Sequence, residues 1–143
     1  MSVFQTSLTI ATERQGLMLI TREVEQALSG ISHEQWKATG GLVTLFLQHT
    51  SASLLIQENS DPQARLDLEE FLNRLVPENQ SWHRHLDEGL DDTPSHMKCA
   101  VTPTTLTIPF ANGKMLLGTW QGIYLWEHRR SSHRRNIILT LMT

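Results

Sequence analysis

The chain has 143 residues, of which 39% are hydrophobic and 19% charged, with a formal net charge of -3. That length suits one domain over residues 1–143, no apolar run approaches the ~20 residues that cross a bilayer, and the charge offers no general attraction to nucleic acid or membrane. The first residues, MSVFQTSLTI, lack the basic and long-apolar pattern of a signal peptide, and the single Cys99 cannot close an internal disulfide, so a cytoplasmic location is expected.

In chain order, VFQTSLTI and GLMLIT carry the β-branched and aromatic content of strands. Thr21 is placed to N-cap REVEQALSG, whose Val24, Ala27 and Leu28 share one helical face before Gly30 ends it. GGLVTLFLQHT is the most apolar stretch and predicts a central strand. Asp61 then caps a helix with Pro62 at its first position, and Ala64, Leu68, Phe71, Leu72 and Leu75 form its expected buried stripe up to Pro77. The polar stretch from Ser81 to Pro103 predicts irregular chain and a short helix from about Pro94 to Ala100. TLTIPF and KMLL flank Asn112-Gly113, the signature of a type I′ hairpin turn. GIYLWEH and RNIILTLM complete the strands. Strands with two or three helices between them predict an α+β fold of packed, mixed or antiparallel, sandwich-like sheets.

Charge is unevenly distributed. Ten of the fifteen carboxylates lie between Glu58 and Asp92, while HRRSSHRR (128–135) carries four arginines and two histidines. The seven histidines match no local metal motif, so a metal site has to be assembled by tertiary contact from His49, His85, His96 and His128, with Asp91 or Asp92 as ligand or orienting group. Thr50 and Ser51 supply hydroxyls beside His49 suited to an oxyanion, although without a GxSxG elbow they make no hydrolase triad. Arg129, Arg134 and Arg135 are candidates for holding a phosphate through planar bidentate contacts. Trp120, Tyr124 and Trp126 fall on one strand face, with Gln121, Ile123, Leu125 and Glu127 on the other. Glu127, at the strand end, is a candidate acid/base group, and Glu58 and Asn59, before the Asp61 cap, are freer to face a ligand. Cys99 reads as a small buried hydrophobe.

The segments QHTSASL (48–54), ENSDP (58–62), EGLDDTPSHMK (88–98), NGK, GTWQGI (118–123), EHR (127–129) and HRR (133–135) resemble the YjbQ-like family, whose members are often labelled secondary thiamine-phosphate synthase. The chain departs from the usual pattern at Cys99 and Pro103. The resemblance implies an α+β fold, a homotrimer and a metal-associated pocket near subunit contacts. It also implies site residues His49, Thr50, Ser51, Glu58, Asn59, His85, Asp91, Asp92, His96, Trp120, Gln121, Glu127, His128 and Arg129.

The leading expectation is a small enzyme that uses a divalent metal, zinc or magnesium, on His49, His85 and His96, and acts on a phosphorylated or other anionic small molecule. Glu58, Asn59, Asp92 and Glu127 would serve as catalytic groups, and Thr50, Ser51, Trp120, Gln121, Arg129, Arg134 and Arg135 would bind substrate. A thiamine-phosphate synthase-like transfer, with those arginines on a departing diphosphate, is a narrower version. A non-catalytic trimer that binds or senses a metabolite is the alternative.

Overall fold

The computed structural model describes residues 1–31 and 33–143. Its elements are β1 (Val3–Thr12), β2 (Gly16–Leu19), α1 (Thr21–Ser29), α2 (His33–Trp36), β3 (Gly41–Leu47), β4 (Ala52–Glu58), α3 (Pro62–Leu75), α4 (Asp92–Val101), β5 (Thr105–Ala111), β6 (Lys114–Met115), β7 (Gln121–Glu127) and β8 (His133–Met142). The fold is α+β. A five-stranded sheet runs β1-β8-β3-β5-β6 and a three-stranded sheet runs β2-β7-β4. Every ladder among the described residues is antiparallel, which settles the choice between mixed and antiparallel pairing.

The main core lies between the sheets. Strand alternation sends Val43, Leu45, Leu47, Ile137, Leu139 and Leu141 inward from the larger sheet, against Ala52, Leu54, Ile123 and Leu125 of the smaller one. Ile20, Val24 and Leu28 of α1 close the same core. Each such aliphatic side chain contributes roughly 1.5–3 kcal/mol by leaving water. Tyr124 and Trp126 point the other way and join Leu17, Leu72 and Val76 in a second cluster beneath α3. Strand β7 is therefore buried on both faces, and Trp120, which lies just before it and is exposed, does not share the Tyr124–Trp126 face.

Local rules succeed where the backbone alone decides. Asn112 and Gly113 have φ of 53° and 77°, as a type I′ turn requires, and Asp61 accepts the Gln63 N–H as an N-cap. They fail where tertiary contacts compete. Thr21 does not cap α1: its hydroxyl accepts the Ile123 N–H at 2.9 Å, which ties the helix start to β7. Of the expected α3 stripe only Leu72 is buried, while Phe71 and Leu75 are exposed, because this short helix covers one edge of the smaller sheet. Helix α4 begins at Asp92, two residues before the expected start at Pro94.

Gly122 shows a close approach. A Cβ there would lie 2.7 Å from Leu19 Cδ1 and 2.9 Å from Asn59 Cβ. Three segments cross between the sheets at one end of the molecule: 13–15 after β1, 48–51 after β3, and 128–132 after β7. Gly16 and Ala52 both stand opposite Glu127 in the ladders, so the three crossings converge on that residue.

Candidate functional site

Glu127 is the fixed point of this end. It is 1% exposed, and its carboxylate accepts from Arg135 Nε at 2.8 Å, from Arg135 Nη2, from Thr12 Oγ1 at 2.7 Å and from the Arg129 N–H at 3.1 Å. Burial alone would push this carboxyl up, but the Arg135, Thr12 and Arg129 hydrogen bonds outweigh it and hold it below the usual carboxylate range. Arg135 is buried as well and donates onward to the Ser51 carbonyl at 3.2 Å. One ion pair thus joins β1, β7, β8 and the 48–51 crossing.

His49 sits beside Arg135, and its Nε2 accepts the Asn136 N–H at 2.8 Å. Burial, with Arg135 next to it, pushes the imidazole below its ordinary value. Its Nε2 lone pair is engaged by a backbone donor, and His49 is absent from the group that can share an ion. That group is His85, Asp92 and His96, whose ligand atoms all lie within 4.8 Å of one another. Asp92 takes the place expected for His49.

Two elements assemble this group. Asp92 and His96 are four apart on α4 and therefore share a face, while His85 arrives from the chain before the helix. Asp92 is 1% exposed; its Oδ1 accepts from Arg129 Nη1 at 2.8 Å and lies 3.4 Å from His96 Nε2. His96 Nδ1 is 2.8 Å from the Thr50 carbonyl, an obligate acceptor, so Nδ1 carries a proton and Nε2 faces Asp92. Asp92 Oδ2 is buried without an aligned donor although His85 Nε2 stands 2.6 Å away. The Asp92 carboxylate and the two imidazole nitrogens thus face one another closely enough to share one bound ion or proton.

Asp91 is the orienting group. It accepts from Arg129 Nε at 3.1 Å and from the Arg130 N–H at 2.9 Å. Burial opposes ionisation of Asp91, yet these bonds hold its carboxyl below the usual range. Arg129 also reaches the Glu88 carbonyl at 2.8 Å, so its guanidinium is occupied by the acidic motif. Arg135 is occupied by Glu127, and Arg134 is exposed on the opposite strand face. The three arginines do not form one phosphate clamp within the chain.

Glu58, Asn59, Trp120 and Gln121 meet one another but not the histidines. Glu58 stands opposite Gln121, Asn59 Nδ2 donates to the Gln121 carbonyl at 3.3 Å, and Glu58 Oε2 accepts the Asp61 N–H at 2.9 Å. They occupy the far end of β4, roughly 20 Å from the Ala52 end at about 3.3 Å per residue. The expected pocket wall is therefore separated from the rest of the site by the length of a strand. Thr50 is exposed at the rim and Ser51 is buried.

Sequence reasoning overlooked Thr12, which carries no signal beyond strand alternation, and His83. The latter is 8% exposed, with Nε2 unpartnered among the described residues, and lines with His85, Leu86, Leu90 and Thr93 a cavity of about 270 Å³. A second cavity, of about 480 Å³, lies along His49, Thr50 and His96. The ion-holding group thus borders two spaces.

His128 has a different role from a ligand. It is 1% exposed, and its Nε2 is 2.8 Å from Ser53 Oγ, itself fully buried. Burial, with Lys98 and Arg135 adding repulsion, pushes the imidazole down to about 3. Cys99 donates to the Ala52 carbonyl at 2.9 Å, and burial pushes its thiol up, as suits a packing residue.

Two outcomes are expected. Glu127→Ala strands a buried guanidinium and lowers unfolding free energy by about 3–5 kcal/mol in urea denaturation, and adding Arg135→Met restores part of the loss. The folded His128 pKa lies below the unfolded ~6.5, so the unfolded chain binds the extra proton. Stability is then full above pH ~6.5 and falls as pH drops toward 3, at up to ~1.4 kcal/mol per pH unit from this group. His49 adds in the same direction, whereas Glu127 loses its contribution only below pH ~4.3. Denaturation between pH 7 and 4.5 should show a shallower slope for His128→Gln.

The chain resembles known proteins in sequence and fold. The family described as UPF0047 protein YjbQ-like matches residues 6–143. A UPF0047 protein of Synechocystis is 45% identical over 135 residues, covering 94% of this chain and 88% of the relative. UPF0047 protein YjbQ of Escherichia coli O157:H7 is 43% identical over 138 residues, 96% of each chain. Among solved structures, a conserved hypothetical protein of Thermus thermophilus superposes with TM-score 0.79 at 34% identity, covering 93% of this chain and 97% of that one. A YbjQ-like protein of unknown function from Sulfolobus solfataricus has the same fold, with TM-score 0.84 at 24% identity over 98% of this chain and 96% of that one. The chain belongs to the YjbQ-like UPF0047 family.

Proposed function

We propose that the protein is a small metal-dependent enzyme acting on a phosphorylated or otherwise anionic small molecule, with His85, Asp92 and His96 holding a divalent ion. The observation that carries this reading is the buried Asp92 carboxylate: Oδ2 has no aligned donor, and His85 Nε2 and His96 Nε2 both face the carboxylate. Two imidazoles and one carboxylate suit zinc better than magnesium, which prefers oxygen ligands and retains its waters. Such an ion would polarise a substrate oxygen or lower the pKa of a bound water.

The chain's own groups set up the rest. The Thr50 carbonyl orients the His96 ring through Nδ1, and Arg129 holds Asp92 in place while Asp91 steadies Arg129. His83 lines the adjoining cavity, and its buried Nε2 has no hydrogen-bond partner among the described residues. The thiamine-phosphate version loses its support, because Arg129 and Arg135, expected on the departing diphosphate, are held by internal carboxylates.

The expected homotrimer is part of the proposal. The outer face of the larger sheet exposes Leu42 and Phe46, paired across the ladder with Met142 and Ile138. Phe46→Glu should reduce the mass measured by light scattering toward that of one chain; an unchanged mass would place any assembly elsewhere.

Metal analysis of the purified protein should find close to one zinc-class ion per chain. Adding that ion to stripped protein at about 100 times its Kd should stabilise the fold by ~2.7 kcal/mol. Asp92→Asn and His96→Ala should remove both effects. Stripped protein that shows no stabilisation by any divalent ion would refute the reading.

A further inference from the structure

Edge strand β2 and helix α3 enclose another cavity, of about 290 Å³, lined by Thr12, Arg14, Leu17, Met18, Arg65 and Glu127, with Leu19 at its edge. Its charges are unequally satisfied. Glu127 is neutralised by Arg135 and saturated by Thr12 and the Arg129 N–H, so it presents little free negative charge to the cavity. The two guanidinium groups are in the opposite state. Among the described residues, the hydrogen bond of Arg14 is a 3.4 Å contact to the neighbouring Gln15 carbonyl, and neither Arg14 nor Arg65 forms an ion pair.

Arg65 carries the stronger signal. Its Nε is buried with no acceptor among the described residues, a costly condition for a charged donor unless something supplies one. The guanidinium lies over the Tyr124 ring, 5.5 Å from its centroid, and the Tyr124 hydroxyl is anchored on the Glu58 carbonyl at 2.8 Å. The cation is thus held in orientation before any ligand arrives.

The cavity's other wall is apolar. Leu17 is buried, and Met18 and Leu19 are progressively more exposed toward the opening. The β2 edge is not free for an added peptide strand at this point, because Glu69 Oε1 accepts the Leu17 N–H at 2.7 Å. A small molecule therefore suits the space better than an extended chain.

We propose that this cavity binds a dianionic phosphate monoester bearing a short apolar group. The phosphate lies between Arg14 and Arg65, and the apolar group rests on Leu17, Met18 and Leu19. Two guanidinium groups without ion pairs among the described residues, Arg65 held over Tyr124 and Arg14 at the rim, match the charge and planar bidentate geometry of a phosphate dianion. The site does not depend on a metal.

Calorimetric titration of the full-length, metal-stripped protein with n-butyl phosphate tests this. Saturable binding of one molecule per chain is expected, weakened tenfold or more by Arg65→Gln and by Arg14→Gln and less by Arg65→Lys, with circular dichroism confirming the fold. Arg14 is exposed, so its variant remains informative should Arg65→Gln not fold. Asp92→Asn should bind as the parent does, and butyrate should bind at least tenfold more weakly than the phosphate. The proposal is overturned by absence of saturable binding, by affinity unchanged in both arginine variants, by loss of binding in Asp92→Asn alone, or by butyrate binding as tightly. None of these results alters the metal test on His96, so the two readings fail separately.

Discussion

The site end of the molecule depends on the buried pair of Glu127 and Arg135. Two sheets can pack on apolar faces without any polar contact, but the three chain crossings at this end each bring backbone and hydroxyl groups into a dry region. Glu127 accepts one hydrogen bond from Thr12 on β1, two from Arg135 on β8 and one from the Arg129 N–H of the last crossing, and Arg135 donates one more to the Ser51 carbonyl. A buried ion pair rarely improves on an apolar pair in net stability; its effect here is to fix where the segments carrying Thr12, Ser51, His49 and Arg129 lie.

From that anchor the acidic motif acquires its geometry. Arg129 is two residues beyond Glu127, its N–H bound to the Glu127 carboxylate, and its side chain extends to Asp91, Asp92 and the Glu88 carbonyl. The start of α4 is thereby held against the 128–132 crossing, and the four-residue spacing of Asp92 and His96 presents both toward His85. Arg129 serves the site by orienting it. A guanidinium already holding two carboxylates has little left for a substrate phosphate, whereas Arg14 and Arg65, without ion pairs among the described residues, retain that capacity.

The histidines divide by environment. His128 is buried against Ser53 and kept neutral by desolvation, and His49 spends its Nε2 on a backbone donor. His85 and His96 are exposed enough to exchange a ligand and stand against the buried Asp92 carboxylate. Residues of one type, all in motifs of similar character, thus become a core group, a strand clamp and candidate ion ligands according to what surrounds each ring nitrogen.

Much of the protein was legible from residue order. The α+β class, the strands, the Asn112-Gly113 hairpin and the Asp61 cap follow from periodicity and local backbone preference, which act over a few residues and need no partner. The candidate residues also included several that the structure brings together: His85 with Asp92 and His96, Arg129 with Asp92, and Glu127 with Arg135. Their partnerships were not legible. Glu58 and His49 are nine residues apart in the chain yet lie at opposite ends of β4, while Thr12 and Glu127, 115 residues apart, share a hydrogen bond. The sequence by itself determined which elements form and which chemically able side chains the chain possesses. Only the tertiary structure decided which of those side chains are neutralised inside the protein and which are left to meet a ligand, because strand pairing and sheet crossing set those distances across the whole chain.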